Sequence, residues 1–265
     1  EYPEFTALNL FPVSNETDPG AETVTYYTYD KTGLAKVIDN YSTDLPRADV
    51  TGKPSYAQVK SIGDSYGYSA QEMRASRMAG KSLDSRKAES ARYQIDNLTN
   101  RIAWAGDENS GLMGVLSTGQ NVPLYTIGNG AGQKADWASK TADEILADVN
   151  GMQKQVARVT KNVERPDTLC VPSDVYMDIS TRRIPDTATT VKAFLLENAP
   201  YLKDIVSAAE LDADSVDTNP YAKATTGGKG VAFLFKNDKR KMSLENPMPF
   251  MQYPLQVKGL ETVIP

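Results

Sequence analysis

Histidine is absent from all 265 residues, which removes the commonest general base and the commonest metal ligand together. A serine nucleophile therefore has no imidazole partner, and no G-x-S-x-G turn is present to display one. Cysteine is reduced to Cys170, so no disulfide forms within the chain, and its place in the run Thr168–Val171 reads as an inert buried thiol. No apolar run approaches the roughly 18 residues of a membrane span, and no secretory signal opens the chain. The expectation is a cytosolic product with no membrane association. Basic charge is also scarce at one end. Residues 1–67 carry ten acidic and five basic side chains, whereas residues 68–265 carry twenty-four of each, for a net charge of -5. Such a chain tracks a phosphate backbone poorly, which disfavours sequence-specific nucleic-acid binding.

The motifs that usually announce a ligand are missing or malformed. Gly128, Gly130 and Gly132 form G-x-G-x-G without the amphipathic helix that a dinucleotide loop needs. The cluster TTGGKG lacks the spacing and the Lys-Ser/Thr ending of a phosphate loop. Asp212, Asp214 and Asp217 would head an EF-hand only if Val216 and Lys223 were ligands, so a solvated loop is the better reading. No catalytic residue, cofactor or metal site is implied. Lys236, Lys239, Arg240 and Lys241 are the densest basic cluster and are read here as bracketing a hairpin turn, with subunit or phosphate contact as the second reading.

What the chain does contain is a distinctive order of parts. Residues 1–21, with three prolines and scattered apolar residues, read as an extended arm without secondary structure that needs a surface to lie on. ETVTYYTY, residues 22–29, is β-branched or aromatic almost throughout and predicts a strand packed on both faces. A returning strand over residues 56–68 would complete a long two-stranded hairpin, with Gly52 and Pro54 in its turn-rich tip. Ser69–Ala79 predicts a short helix ended by Gly80. From Leu83 to Ala105, Ala88, Ala91, Ile95, Leu98, Ile102 and Ala105 fall at steps of three and four, one helical stripe on a rod of about 35 Å. Arg86, Lys87, Glu89, Asp96, Asn97, Asn100 and Arg101 lie on the opposite, polar face. GDENSGLMGVLS, residues 106–117, is a turn-rich exit. Helices over residues 141–159, 174–180 and 190–198 alternate with strands over 168–172 and 205–211, which predicts a mixed α/β unit. A strand over 231–235 is expected to turn at Asn237 and Asp238 and pair with 241–244, and the β-prone segment 255–264 closes the chain. Aromatic residues are few apart from tyrosine, with fourteen against six phenylalanines and two tryptophans. Tyr26, Tyr27, Tyr29, Tyr56, Tyr66 and Tyr68 all fall on the hairpin as read, where rings with a polar tip suit a surface shared with a partner and equally suit ordinary strand packing.

Within Tyr66–Leu116, GYSAQEMRASRMAGKSLDSRKAESARYQIDNLTNRIAWAGDENSGLMGVL is similar to the pattern of a polar helical turn, a long helix and a "GD…GLxGLL" exit. Asp44, Leu45 and Pro46 in the hairpin tip, and PMPFMQYPLQVKGL near the end, show the same likeness. Taken with the order of parts, the whole chain resembles the tailed-bacteriophage major capsid proteins of the Hong Kong 97 type. The resemblance implies an α+β fold divided into an N-terminal arm (1–21), an extended loop (22–68), a peripheral domain with a spine helix (69–117), an axial domain (118–240) and a return to the peripheral domain (241–265). It implies a non-enzymatic subunit that assembles with copies of itself as pentamers and hexamers of an icosahedral head, formed in the host cytoplasm and found in the virion. The shell would enclose double-stranded DNA without sequence-specific binding, and scaffolding, portal or decoration proteins would be further partners. Candidate inter-subunit contacts are Tyr26, Tyr27, Tyr29, Lys36, Asp44, Arg47, Tyr56, Arg86, Arg101, Lys239 and Arg240. An encapsulin-like compartment shell shares the implied fold and stands as the alternative, with a histidine-free α/β enzyme as the more distant one.

Overall fold

Helical and strand periodicities alternate along the chain, and the computed structural model shows which of those segments pack on one another. It describes residues 5–33, 35, 47–80, 83–117, 122–222, 228–248, 250–259 and 261–265. The helices are α1 (Ala7–Leu10), α2 (Ala70–Ala79), α3 (Leu83–Ala105), α4 (Ala142–Val159), α5 (Ser173–Thr181) and α6 (Val191–Asn198). The strands are β1 (Val13–Ser14), β2 (Thr23–Thr32), β3 (Asp49–Gln58), β4 (Tyr66–Ser69), β5 (Thr168–Val171), β6 (Asp204–Ser207), β7 (Phe233–Phe235), β8 (Leu244–Glu245), β9 (Gln256–Lys258) and β10 (Glu261–Ile264).

The α/β unit is built around β5, whose four residues are all buried. β5 pairs in parallel with β6 and antiparallel with β7, and Leu169, Val171 and Ile205 pack with Ile145, Ile179 and Leu195 from the three surrounding helices. Helix α4 starts at a capping box in which Thr141 Oγ1 accepts from the Glu144 amide and Glu144 Oε2 accepts from the Thr141 amide, so orphan donors at the helix start are satisfied. Just before it, the buried Lys140 ammonium donates to Asp148 Oδ2 and to the Gly128 carbonyl, each at 2.6 Å, while Trp137 Nε1 donates to the same carboxylate at 3.0 Å. A charge pair this deeply buried is tolerated because each partner has further hydrogen bonds.

A second core joins distant parts of the chain. Ala7 and Phe11 of the arm pack with Ala103 and Trp104 at the end of α3 and with Cys170, Ala208, Leu211 and Phe235 of the α/β unit. The Phe11 ring lies 5.0 Å from Trp104 and 5.9 Å from Phe235. Burial, and then the nearby Glu210 carboxylate, push the Cys170 thiol up to about 12, which leaves it an inert core residue. The glycine-rich exit folds back over the last turn of α3. The amides of Val115 and Leu116 donate to the carbonyls of Ala103 and Trp104, and Ser117 Oγ donates to that of Ala105. Gly106, at φ 77, makes the reversal in the left-handed region.

Five expectations change. The arm is not without structure: it forms α1, and β1 pairs in parallel with β8, because Ala7 and Phe11 supply the apolar anchors that proline-rich composition hides. The returning strand begins at Asp49 rather than Tyr56, so Gly52 and Pro54 lie inside the hairpin. A two-stranded ribbon is all edge and tolerates both residues. Tyr66 and Tyr68 leave the hairpin altogether, because β4 pairs with β10. The expected hairpin over 231–244 does not form, since β7 adds to the α/β sheet and β8 goes to the arm. Finally, Asn100 on the polar face of α3 is only 4% exposed, while the stripe residues Ile95, Leu98 and Ile102 are half-buried.

Candidate assembly surfaces

Strands β2 and β3 pair over ten consecutive residues, from Thr23–Gln58 to Thr32–Asp49, which makes a ribbon about 34 Å long. Alternation then sorts its side chains onto two faces. Residues 25, 27, 29 and 31 share one face with their partners 56, 54, 52 and 50, which gathers Tyr27, Tyr29, Tyr56, Pro54 and Val50. The other face carries Tyr26 near the base and then Thr28, Lys53, Asp30, Thr51 and Asp49. Three of the four tyrosines therefore share one face, with Thr25 and Lys31 at its two ends, and beyond Tyr26 the other face is hydrophilic.

Among the described residues almost nothing covers this ribbon. Every residue of β3 and all but Val24 of β2 are exposed, although the sequence predicts a strand packed on both faces. Tyr27, Tyr29 and Tyr56 are 60%, 67% and 72% exposed. The rings of Tyr27 and Tyr29 stack at 6.2 Å, and Gly52 lies under Tyr29, where a Cβ would stand 3.2 Å from Cε1. Tyr26 differs from these three. Burial, and then the Glu245 carboxylate of β8, hold its phenol above the ordinary value, so it belongs to the root of the hairpin and faces its own subunit.

The other candidates are scattered. Lys36 and Asp44 lie outside the described residues, and Arg47 is exposed where the described part of the hairpin resumes. Arg86 and Arg101 are exposed on α3, fifteen residues or about 22 Å apart. Arg101 borders an open cleft of about 440 Å³ between α3, Ile62–Asp64 and Asp217–Thr218, whose lining holds no histidine, cysteine or serine. Lys239 is engaged within the chain, donating to Glu16 of the arm at 2.6 Å. Arg240 stays exposed beside it. Lys236 and Lys241 both approach Glu164, so three members of the basic cluster fasten this loop to its own subunit.

Two features were not visible in the sequence as functional. One is a buried polar junction. Glu210 accepts from the Thr6 amide (3.2 Å), the Thr6 hydroxyl (2.7 Å) and Asn100 Nδ2 (2.7 Å), while Asn100 Oδ1 accepts from the Ala7 amide at 3.0 Å. The other is the segment 250–257, exposed at every residue. Phe250 is anchored under the Arg92 guanidinium at 5.8 Å and Gln252 donates to Tyr66 OH at 2.9 Å. Between and beyond these anchors, Met251, Tyr253, Leu255 and Val257 alternate with residues of another character. That alternation is the sequence signal that could have drawn attention to them.

Among the described residues no group of three or more His, Cys, Asp or Glu side chains is placed to hold a metal, and no helix is long and apolar enough to cross a membrane. A family model described as the major capsid protein matches residues 33–265. No curated protein matches the sequence. Among solved structures, that described as the capsid of Myoviridae Phage XM1 superposes with a TM-score of 0.76 at 18% identity, over 100% of this chain and 85% of that one. A chain of Mycobacterium phage Bobi gives 0.58 at 14% identity, covering 98% and 80%. One of Mycobacterium phage Ogopogo gives 0.53 at 11%, covering 97% and 84%.

Proposed function

The chain belongs to the major capsid protein family, and from that premise we propose that it is the repeating subunit of a phage head, closing with its own copies into an icosahedral shell around double-stranded DNA. The observation that carries this reading is the ten-pair hairpin whose Tyr27, Tyr29 and Tyr56 are left exposed by the described residues of their own chain. A two-stranded ribbon is marginal in water because it buries too little surface. Three stacked or neighbouring tyrosines on one side supply the apolar area, and a sister subunit supplies the surface to bury it.

The proposal divides the molecule by role. The α/β unit, with its own core around β5, would form the axial domain that meets its counterparts around five-fold and six-fold positions. Helix α3 would be the spine of the peripheral domain, to which residues 241–265 return through β9 and β10. Each subunit then presents different patches to different neighbours, a heterologous arrangement that closes into rings and then a shell. Contacts worth a few kcal/mol each multiply, because a subunit engaged at several places cannot leave by losing one. Catalysis has no part in this role, and the net charge of -5 suits enclosure of DNA without a base-specific grip. Pentamers and hexamers, portal, scaffolding or decoration partners, assembly in the host cytoplasm and residence in the virion complete the proposal.

Electron microscopy of the purified, concentrated protein tests it. The expected result is closed shells, or the ring-shaped capsomers from which they are built. Discrete monomers at every concentration and salt condition would overturn the proposal.

A further inference from the structure

Most of this chain repels a polyanion, and one stretch does not. Residues 70–92 carry six basic and three acidic side chains, net +3 in a chain of net -5, so the remainder carries -8. The stretch forms α2 and opens α3, and no residue of α2 is buried. Lys87 Nζ donates to the Gly67 carbonyl at 2.7 Å and to Glu72 Oε2 at 3.4 Å. Helix α2 therefore folds back beside the start of α3, and Arg74 comes to about the level of Arg86. Arg74, Arg77 and Arg86 are all exposed, and none of the three guanidinium groups has a partner among the described residues. Arg77 answers the dipole at the end of α2. Arg74 stands mid-helix, and Arg86 stands in the opening turn of α3, where the dipole disfavours a cation.

We infer that this is the face a subunit turns toward the enclosed duplex, with Arg74, Arg77 and Arg86 holding backbone phosphates without regard to sequence. This rests on the shell-subunit reading and adds to it which side of the subunit looks inward, and it moves Arg86 from the inter-subunit contacts to the DNA. A guanidinium is a planar fork that meets phosphate oxygens two at a time. A duplex offers a charge about every 1.7 Å of its axis, so the contact needs no fixed register. The acidic remainder of the chain keeps the duplex off its other surfaces. Other basic groups are already accounted for: Lys236 and Lys241 approach Glu164 and Lys239 holds Glu16, while Arg158 and Lys161 stand at the C-terminal end of α4, where the dipole favours a cation. The acidic first quarter of a sister copy is the weaker partner for the arginines. Its Asp18, Asp49 and Asp64 each accept from an amide of their own chain, and Glu16 accepts from Lys239.

The test is the salt dependence of binding to a short fluorescent duplex of arbitrary sequence, read by anisotropy with the full chain before assembly. Arg74→Gln/Arg77→Gln/Arg86→Gln is compared with Lys154→Gln/Arg158→Gln/Lys161→Gln, which removes the same charge from another exposed place. All six positions are exposed, and circular dichroism checks that both variants are folded. At a slope of about -0.9 per phosphate contact, three contacts weaken binding about fortyfold between about 50 and 200 mM salt. That loss is expected for the wild-type chain and for the α4 variant, and is expected to shrink to a few-fold in the arginine variant. Equal flattening by the two variants, an unchanged slope in the arginine variant, or no binding by the wild-type chain at low salt would overturn the inference. An arginine variant that keeps its slope but no longer builds shells would assign the face to a sister copy instead. Shell formation by the wild-type chain is scored separately by electron microscopy, and its failure would overturn the reading on which the inference rests.

Discussion

Asn100 lies on a helix face that periodicity assigns to solvent, yet it is buried and bonded at both ends of its amide. Its partner Glu210 accepts three hydrogen bonds, two of them from Thr6. These two side chains fasten the arm, the end of α3 and the α/β unit at one point. Glu210→Ala leaves three donors without their acceptor in a buried place, at about 1–3 kcal/mol for such a group. Urea denaturation of the variant should show that loss, and the arm should become the first site of protease cleavage. An unchanged midpoint would mean that water replaces the carboxylate freely. None of this was legible in the sequence, since a lone Asn and a lone Glu 110 positions apart carry no pattern. Cys170 was legible, because the short run around it is buried on both faces, with Leu169 and Val171 in one core and Cys170 in the other.

Elements with strong local signals fall where the sequence predicts them. Helix α3 spans Leu83–Ala105 as its stripe and its terminal glycine indicate, and α2 starts and stops at Ser69 and Gly80, where the capping box and the left-handed glycine stand. Elements defined by long-range pairing do not follow. Nothing local distinguishes a β7 that hairpins with its successor from one that joins β5, and only the alternatives on offer in three dimensions decide it. The exit from α3 shows how local chemistry can still be decisive. A Cβ at Gly114 would collide with the Gly106 amide, the Trp104 carbonyl and the Ala105 backbone, and these cannot move without releasing the bonds that cap α3. Gly114→Ala is therefore expected to cost about 2 kcal/mol, a fall in Tm of roughly 4–8 °C for a chain of this size. Gly132→Ala, where a Cβ meets nothing within 4 Å, is the control and should leave Tm within about 1–2 °C. Equal losses from the two would show that backbone freedom and not crowding sets the cost.

At the scale of the whole molecule, the order of arm, hairpin, long helix and α/β unit was the legible part, because each piece announces itself by composition or period. Which face of the hairpin is apolar was not, since Tyr26, Tyr27, Tyr29 and Tyr56 look alike until the register of β2 and β3 separates Tyr26 from the other three. The molecule that results has two well-packed cores and a ribbon outside both. Folding of the cores should therefore be independent of the ribbon, whereas closure of a shell should depend on it. Thr23 and Gln58 are paired at the root of the hairpin, so residues 24–57 can be replaced by a short Gly/Ser turn without straining either core. The most direct measurement is sedimentation velocity of this variant beside the full chain under assembly conditions. The full chain is expected to sediment as closed particles, while the variant stays as folded monomers or small oligomers with an unchanged unfolding transition of its cores. Particles of normal size from the variant would contradict this.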